Sequence, residues 1–236
     1  MCCLTSYNSI ILSEVLAYCL ILNHKNDLKQ SIVFQYREIY MYNHRRQITI
    51  ADAIAPSYVF KYRVLRDISL VIAFVIITAA FARVTIPLPF TPVPITGQTF
   101  SVLLTGALLG SRRGAISMAL YVIVGTWLPL YSGGTSGIFW TLAPGGYLLG
   151  FVPAAFIVGY LSERGWDRGP KIILAMVIGN AFIYIPGLMQ LSLFVPDGKT
   201  LSLGLYPFLP GDIIKLLLVS LILPSSWKIL NLRKGS

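Results

Sequence analysis

Two ionisable side chains stand inside the apolar part of this chain, Asp212 and Lys215, in the run Pro210-Gly211-Asp212-Ile213-Ile214-Lys215. An acid and an amine three residues apart share one face of a helix, so both heads can project into the same space. Such a couple can grip a small polar molecule, the ammonium donating to an anion and the carboxylate accepting N–H groups. The same residues have a plainer reading. An aspartate after Pro-Gly caps a helix start and gains from the helix dipole, and a lysine near a helix end snorkels to the membrane surface. Charge within a membrane segment is costly enough that function is the first hypothesis for it. Other polar candidates are weaker. Arg83, closing an apolar segment, reads as an interfacial cation; Asn180 and Tyr184, four apart on another, read as inward polar groups or as a helix–helix hydrogen bond. Tyr147, just after Pro144-Gly145-Gly146, suits either a loop-side position or an interfacial aromatic belt.

What the chain lacks narrows the chemistry. Both histidines, His24 and His44, and all three cysteines, Cys2, Cys3 and Cys19, precede the apolar portion. That portion therefore offers no imidazole base, no thiolate metal site and no disulfide framework. It also contains no GxSxG elbow, no P-loop and no paired intramembrane carboxylates. The expectation is a binding protein rather than an enzyme, with no resident cofactor or metal and no motor of its own.

The elements that hold these residues are membrane segments. The chain has 236 residues, 56% of them hydrophobic, and a net charge of +10; its mean hydropathy is +0.72. From Ile68 onward there are eleven Lys and Arg but only four acids in 169 residues, mostly clustered between apolar runs. The basic excess fits cytoplasmic loops under the positive-inside rule better than nucleic acid. Six apolar segments follow in order, at about 68–84, 98–109, 115–130, 145–161, 171–194 and 210–230. Basic clusters fall before the first and after the second, fourth and sixth, which predicts six spans with both termini cytoplasmic. The second and third are short for a full crossing, so tilt or partial submersion is expected. Residues 67–236 are thus read as a six-helix, all-α membrane domain. Residues 1–66 are read as a cytoplasmic N-terminal extension, in part helical or disordered. Recurrent glycines (Gly106, Gly114, Gly150, Gly159 and Gly179 among them) predict close helix packing.

Between the first two segments lies an uncharged stretch, Pro87 to Gln98, with prolines at 87, 89, 92 and 94. Fixed φ angles and missing N–H groups exclude a helix or a central strand there. Between two hydrophobic helices such a loop lies at a membrane face or folds back into a cavity. Thr91, Thr96, Gln98 and Thr99 supply neutral hydrogen-bonding groups suited to recognition. A second uncharged loop, Ser132-Gly133-Gly134-Thr135-Ser136-Gly137, maps to the same face, as does the Asp212 turn.

The runs PFTPVPITGQT, LLTGALLGSRRGAISMALYVIVGTWLPLYSGG, LAPGGYLLGF and FLPGDIIK resemble, in this order, the biotin-specific substrate-binding (S) component of energy-coupling-factor transporters. The resemblance covers about residues 70–223. It implies six transmembrane helices around an outward-facing biotin pocket in a multi-pass cell-membrane protein. It also implies partners: a transmembrane coupling protein and cytoplasmic ATPase subunits. The family's acid and lysine match Asp212 and Lys215, the lysine expected to meet the biotin carboxylate and the acid a ureido N–H. Thr135, Gln98 and Tyr147 are the further substrate-binding residues it implies. The alternatives are an S component for another small vitamin, or an intramembrane enzyme on a lipid-linked substrate, which would need acids or histidines the spans do not hold. Segment one departs from the family's pattern of small residues four apart, carrying Ile76 and Ile77 among its alanines.

Overall fold

The structure is a computed structural model that describes residues 49–54 and 63–234, with side chains through Ile229. The expected extension lies outside these residues for positions 1–48 and 55–62. Helix α1 is a single short turn, Ile50–Ile54. Helix α2, Arg63–Arg83, leads to two short strands, β1 (Thr85–Ile86) and β2 (Ile95–Thr96). These pair antiparallel, Thr85 with Thr96 and Ile86 with Ile95, so every proline of the uncharged loop falls between them. Helices α3 (Gln98–Leu109) and α4 (Ser111–Val124) come next. Two 3₁₀ turns, Ser132–Gly134 and Phe139–Thr141, precede α5 (Gly145–Ser162). A third turn, Trp166–Arg168, joins α5 to α6 (Lys171–Leu191); the short α7 (Thr200–Gly204) and the long α8 (Leu209–Lys234) complete the fold.

Among the described residues, four helices are long and apolar enough to cross a bilayer: α2, α5, α6 and the part of α8 from Leu209 to Ile229. Helices α3 and α4, with 12 and 14 residues, are shorter. The segment expected at 115–130 stops at Val124 because the chain folds back over Gly125. The ring of Tyr131 packs where a Cβ of residue 125 would be, and its hydroxyl donates to the Val122 carbonyl at 2.6 Å. The first segment begins earlier than expected, at Arg63, so a division after residue 66 would cut through α2.

The core lies among α3, α4, α5 and α6, where Leu103, Met118, Tyr121, Val158 and Met176 are buried. It is built on close backbone approach. A Cβ on Gly106 of α3 would sit 2.5 Å from the Ala155 carbonyl oxygen of α5, and one on Gly150 of α5 would sit 2.7 Å from the Ile183 Cα of α6. Removing the side chain at such crossings lets whole helices approach, which is how helices associate where lipid supplies no hydrophobic drive.

One end of this bundle is locked by charge. Gly110, with φ 85°, is the single residue between α3 and α4. The orphan N–H of Ser111 donates across the chain to Glu163 at 2.8 Å, and the Ser111 hydroxyl donates to the same carboxylate at 2.9 Å. Arg113 reaches Asp52 at 2.7 Å and Asp67 at 3.2 Å, while Arg66 reaches Asp67 at 2.7 Å and Asp52 at 3.3 Å. This network holds α1 against the bundle, with Ile50 only 1% exposed. Nearby, Trp227 of α8 donates its indole N–H to Asp167 at 2.5 Å, and the Arg168 guanidinium stacks 3.9 Å above the same ring.

Burial works to raise the Asp52 pKa, but hydrogen bonds from Arg113 and Thr49, with the charges of Arg113 and Arg66, outweigh it and hold the carboxyl below 3.8. A depressed acid contributes stability above its unfolded pKa and loses that contribution as pH falls through its folded pKa. Acid titration of thermal stability in detergent should therefore show a drop below about pH 4 that is smaller in Asp52→Asn. At the helix crossing, Gly106→Val should cost about 1–3 kcal/mol from overpacking. Gly169→Ala, where a Cβ meets nothing within 4 Å, should leave the same unfolding midpoint unchanged.

Candidate ligand-binding site

At the opposite end the helices splay around a cavity of about 520 Å³, counting its open mouth. Six parts of the chain build its wall. Val93, Pro94 and Thr96 come from the proline hairpin, Gln98 and Thr99 from the first turn of α3, and Ser132 from the glycine loop. Tyr147, Leu148 and Phe151 come from α5, Ile183 and Tyr184 from α6, and Phe208, Asp212 and Lys215 from the start of α8. The lining is mostly apolar and aromatic, with its charge gathered at one place.

That place is the first two turns of α8. Pro210 sits where a missing N–H is harmless to a helix, and the Asp212 N–H already bonds the Phe208 carbonyl at 2.9 Å. The Asp212 side chain is therefore not spent on capping its own helix. Its carboxylate accepts from Lys215 Nζ at 3.1 Å through one oxygen and from the Tyr184 hydroxyl of α6 through the other. Lys215 in turn donates to Thr99 Oγ1 at 2.8 Å, which ties α8 to α3. Asp212 is 5% exposed. The capping and snorkelling reading of this pair does not hold, since both heads turn into the cavity wall.

Gln98 is 4% exposed and donates from Nε2 to the Tyr121 hydroxyl at 2.6 Å; Tyr121 donates onward to the Leu130 carbonyl at 2.7 Å. The Gln98 carbonyl oxygen takes no part in that bond. Tyr147 is buried rather than interfacial. Its ring forms wall, packing into the space left by Gly187 and meeting the Tyr184 ring edge-on at 6.0 Å between centroids. Its hydroxyl donates to the Gly204 carbonyl at 2.8 Å and so anchors α7. Thr91 does the same from the hairpin, donating to the Leu203 carbonyl at 2.8 Å.

Thr135 is the expected site residue that does not line the cavity. It is exposed and turns its hydroxyl back to the Ser132 carbonyl at 3.0 Å. Ser132 takes the wall position because Gly133 and Gly134, with φ of 65° and 84°, reverse the chain between them. Arg83 is more than an interfacial cation: its Nη2 donates to the Pro129 carbonyl at 2.7 Å. Tyr121, Ser132, Phe151 and Phe208 were not foreseen, and a lone aromatic or serine in an apolar run carries no signal that would single it out. Asn180 lies outside this cavity, with its Oδ1 buried and without a partner among the described residues.

The sequence model of the BioY family matches residues 49–232 of this chain. A biotin transporter BioY of Rhizobium etli is 36% identical over 169 residues, which cover 66% of this chain and 90% of that protein. A probable biotin transporter BioY of Pyrococcus horikoshii is 37% identical over 152 residues, covering 64% of this chain and 89% of that one. In structure, the chain resembles a crystal structure of the S-component for biotin from an ECF-type ABC transporter. The TM-score is 0.64 at 24% sequence identity, over 72% of this chain and 94% of the other. At that identity the likeness speaks for the fold.

Removing the Tyr184 hydroxyl leaves one oxygen of a buried carboxylate without its donor, which should cost about 1.5–3 kcal/mol. Tyr184→Phe is expected to lower the unfolding midpoint of the ligand-free protein. The Tyr184→Phe/Asp212→Asn double variant should lose less than the sum of the two single changes.

Proposed function

This chain belongs to the BioY family, and on that premise we propose that it is a biotin-binding membrane subunit. It captures biotin in the cavity and takes it up with a separate energising module, a transmembrane coupling protein with cytoplasmic ATPase subunits. The observation that carries the reading is a single ion pair set into an otherwise apolar, aromatic wall. Biotin has that distribution of chemistry, a rigid ring system with one polar ureido edge and an aliphatic chain ending in a carboxylate.

The 3.1 Å contact between Lys215 and Asp212 weighs against dividing them between the two ends of the ligand. The valerate chain keeps the ureido group and the carboxylate of biotin far apart, so one end meets both side chains. The ureido edge suits them better. It presents an N–H beside a C=O, matching a carboxylate acceptor beside an ammonium donor, whereas a ligand carboxylate would be repelled by Asp212. Gln98 adds a carbonyl acceptor on the same wall, Tyr147 and Phe151 pack the ring system, and the valerate chain runs toward the mouth.

The chain crosses the membrane six times, α3 and α4 making the short passages, with the cavity on the outer face and both termini cytoplasmic. Support comes from charge. Arg63, Arg66, Arg112, Arg113, Arg164, Arg168, Lys171 and Lys228 all lie at the end away from the cavity, while Arg83, Lys199 and Lys215 lie at the cavity end.

Labelled-biotin binding to the purified protein tests this. Lys215→Ala should lose about 2–5 kcal/mol of affinity, because it leaves Asp212 buried and unpaired. Undiminished affinity would remove the site assignment. Biotin methyl ester should compete within about threefold of biotin if the ureido edge meets the pair, a difference of well under 1.4 kcal/mol. A collapse of competition by the ester would return the carboxylate to Lys215.

A further inference from the structure

The two loops that overhang the cavity are fastened to each other through Arg83 and Thr85, neither of which lines it. The glycine loop has one set of anchors on α4, and these are buried. Tyr131, 2% exposed, donates to the Val122 carbonyl at 2.6 Å, and Tyr121 donates to the Leu130 carbonyl at 2.7 Å. A second set runs to the proline hairpin and its entry, exposed at Arg83 and half-buried at Thr85. Arg83, the last residue of α2, donates to the Pro129 carbonyl at 2.7 Å, with its guanidinium against Gly134 where any Cβ would collide with it. Gly134 also holds φ at 84°, a conformation that favours glycine. Two residues on, the Thr85 hydroxyl meets the Ser132 hydroxyl at 3.1 Å. Thr85 pairs in the hairpin with Thr96. Thr96 and Ser132 both line the cavity, while Arg83 and Thr85 do not.

The two sets of bonds differ in what breaking them costs. A buried tyrosine hydroxyl that lets go of its carbonyl leaves both groups without a partner. The exposed Arg83 guanidinium exchanges its partner for water at small net cost, and the half-buried Thr85 hydroxyl loses less than a fully buried one. The foot of the glycine loop is thus fixed to α4, while Arg83, bonded at Pro129 and lying against Gly134, and Thr85, bonded at Ser132, tie the same loop to the hairpin on its more open side. We propose that Arg83, assisted by Thr85, is a positioning residue that clasps the glycine loop to the proline hairpin across the cavity mouth and so sets how fast the ligand exchanges. The proposal rests on the reading of the cavity as a biotin site for its kinetic test, and on loop geometry alone for its structural one.

The kinetic test follows release of labelled biotin, chased with unlabelled biotin, from the full chain in nanodiscs. Arg83→Met, which keeps the aliphatic stem and removes the donors, should release ligand about tenfold faster, with association no slower than wild type. Arg83→Lys, which keeps a charged donor, should stay within about threefold, and Thr85→Val should move release in the same direction as Arg83→Met. The structural test needs no ligand: amide hydrogen exchange across residues 130–137 should quicken in Arg83→Met, with the thermal midpoint unchanged. Unaltered release in both Arg83→Met and Thr85→Val would overturn the proposal, as would slowed association with unaltered release. A wild type that binds no biotin would overturn the functional reading instead. Amide exchange in Arg83→Met would then decide the clasp by itself, unchanged protection refuting it.

Discussion

A full charge pair in the first turns of α8, at the wall of a membrane protein's cavity, sets the terms for the rest of the fold. Ions removed from water lose several kcal/mol of solvation each, in round terms about 3–5 kcal/mol when a buried partner is then taken away. The pair survives because each head has a neutral companion. Asp212 has the Tyr184 hydroxyl from α6, and Lys215 has the Thr99 hydroxyl from α3. Those companions require α3, α6 and α8 to converge at one level, and that convergence is what gives the cavity its floor. A ligand carrying an adjacent donor and acceptor completes a set of partners that the protein has already assembled.

Convergence at one end demands rigidity elsewhere, and the bundle gets it in two ways. Glycines at the α3–α5 and α5–α6 crossings bring backbones together where lipid provides no reason for helices to associate. At the end away from the cavity, carboxylates and guanidinium groups pair across α1, α2 and α4, while Glu163 satisfies the exposed start of α4. The loops over the mouth are tied more lightly, through the exposed Arg83 and the half-buried Thr85. The charge pair in the wall and the ties at the mouth are made by separate residues.

Much of this was legible in the sequence, and the failures have physical causes. Asp212 and Lys215 stood out because two charges in an apolar span are anomalous, and their spacing put them on one face. The proline stretch marked a loop because no helix runs through it. The order of four motifs gave the family. By contrast, choosing Thr135 over Ser132 depended on the left-handed turn at Gly133 and Gly134, which no pattern of residue types conveys. The Gln98–Tyr121 bond joins residues 23 apart, and either one alone reads as an ordinary membrane-segment residue. Residues 49–54 and 63–66 were read, on charge density, as part of a cytoplasmic extension, in part helical or disordered. Asp52 and Arg66 instead cancel each other's charge against Arg113 and Asp67, so the charged stretch packs on the bundle.

The brevity of α4 has consequences for the surrounding lipid. Fourteen residues rise about 21 Å, against a hydrocarbon slab of about 30 Å. On the flank where α4 exposes Ile116 and Ile123, acyl chains that meet it shorten or splay to keep polar loops in contact with headgroups. The deformation is one-sided, because α2, α5, α6 and α8 match an ordinary bilayer. A thinned sector beside an unthinned one stores elastic strain in the lipid, and any neighbour that shields the short flank relieves it. The membrane itself thereby contributes an attraction toward whatever covers that flank, independent of any residue-to-residue contact.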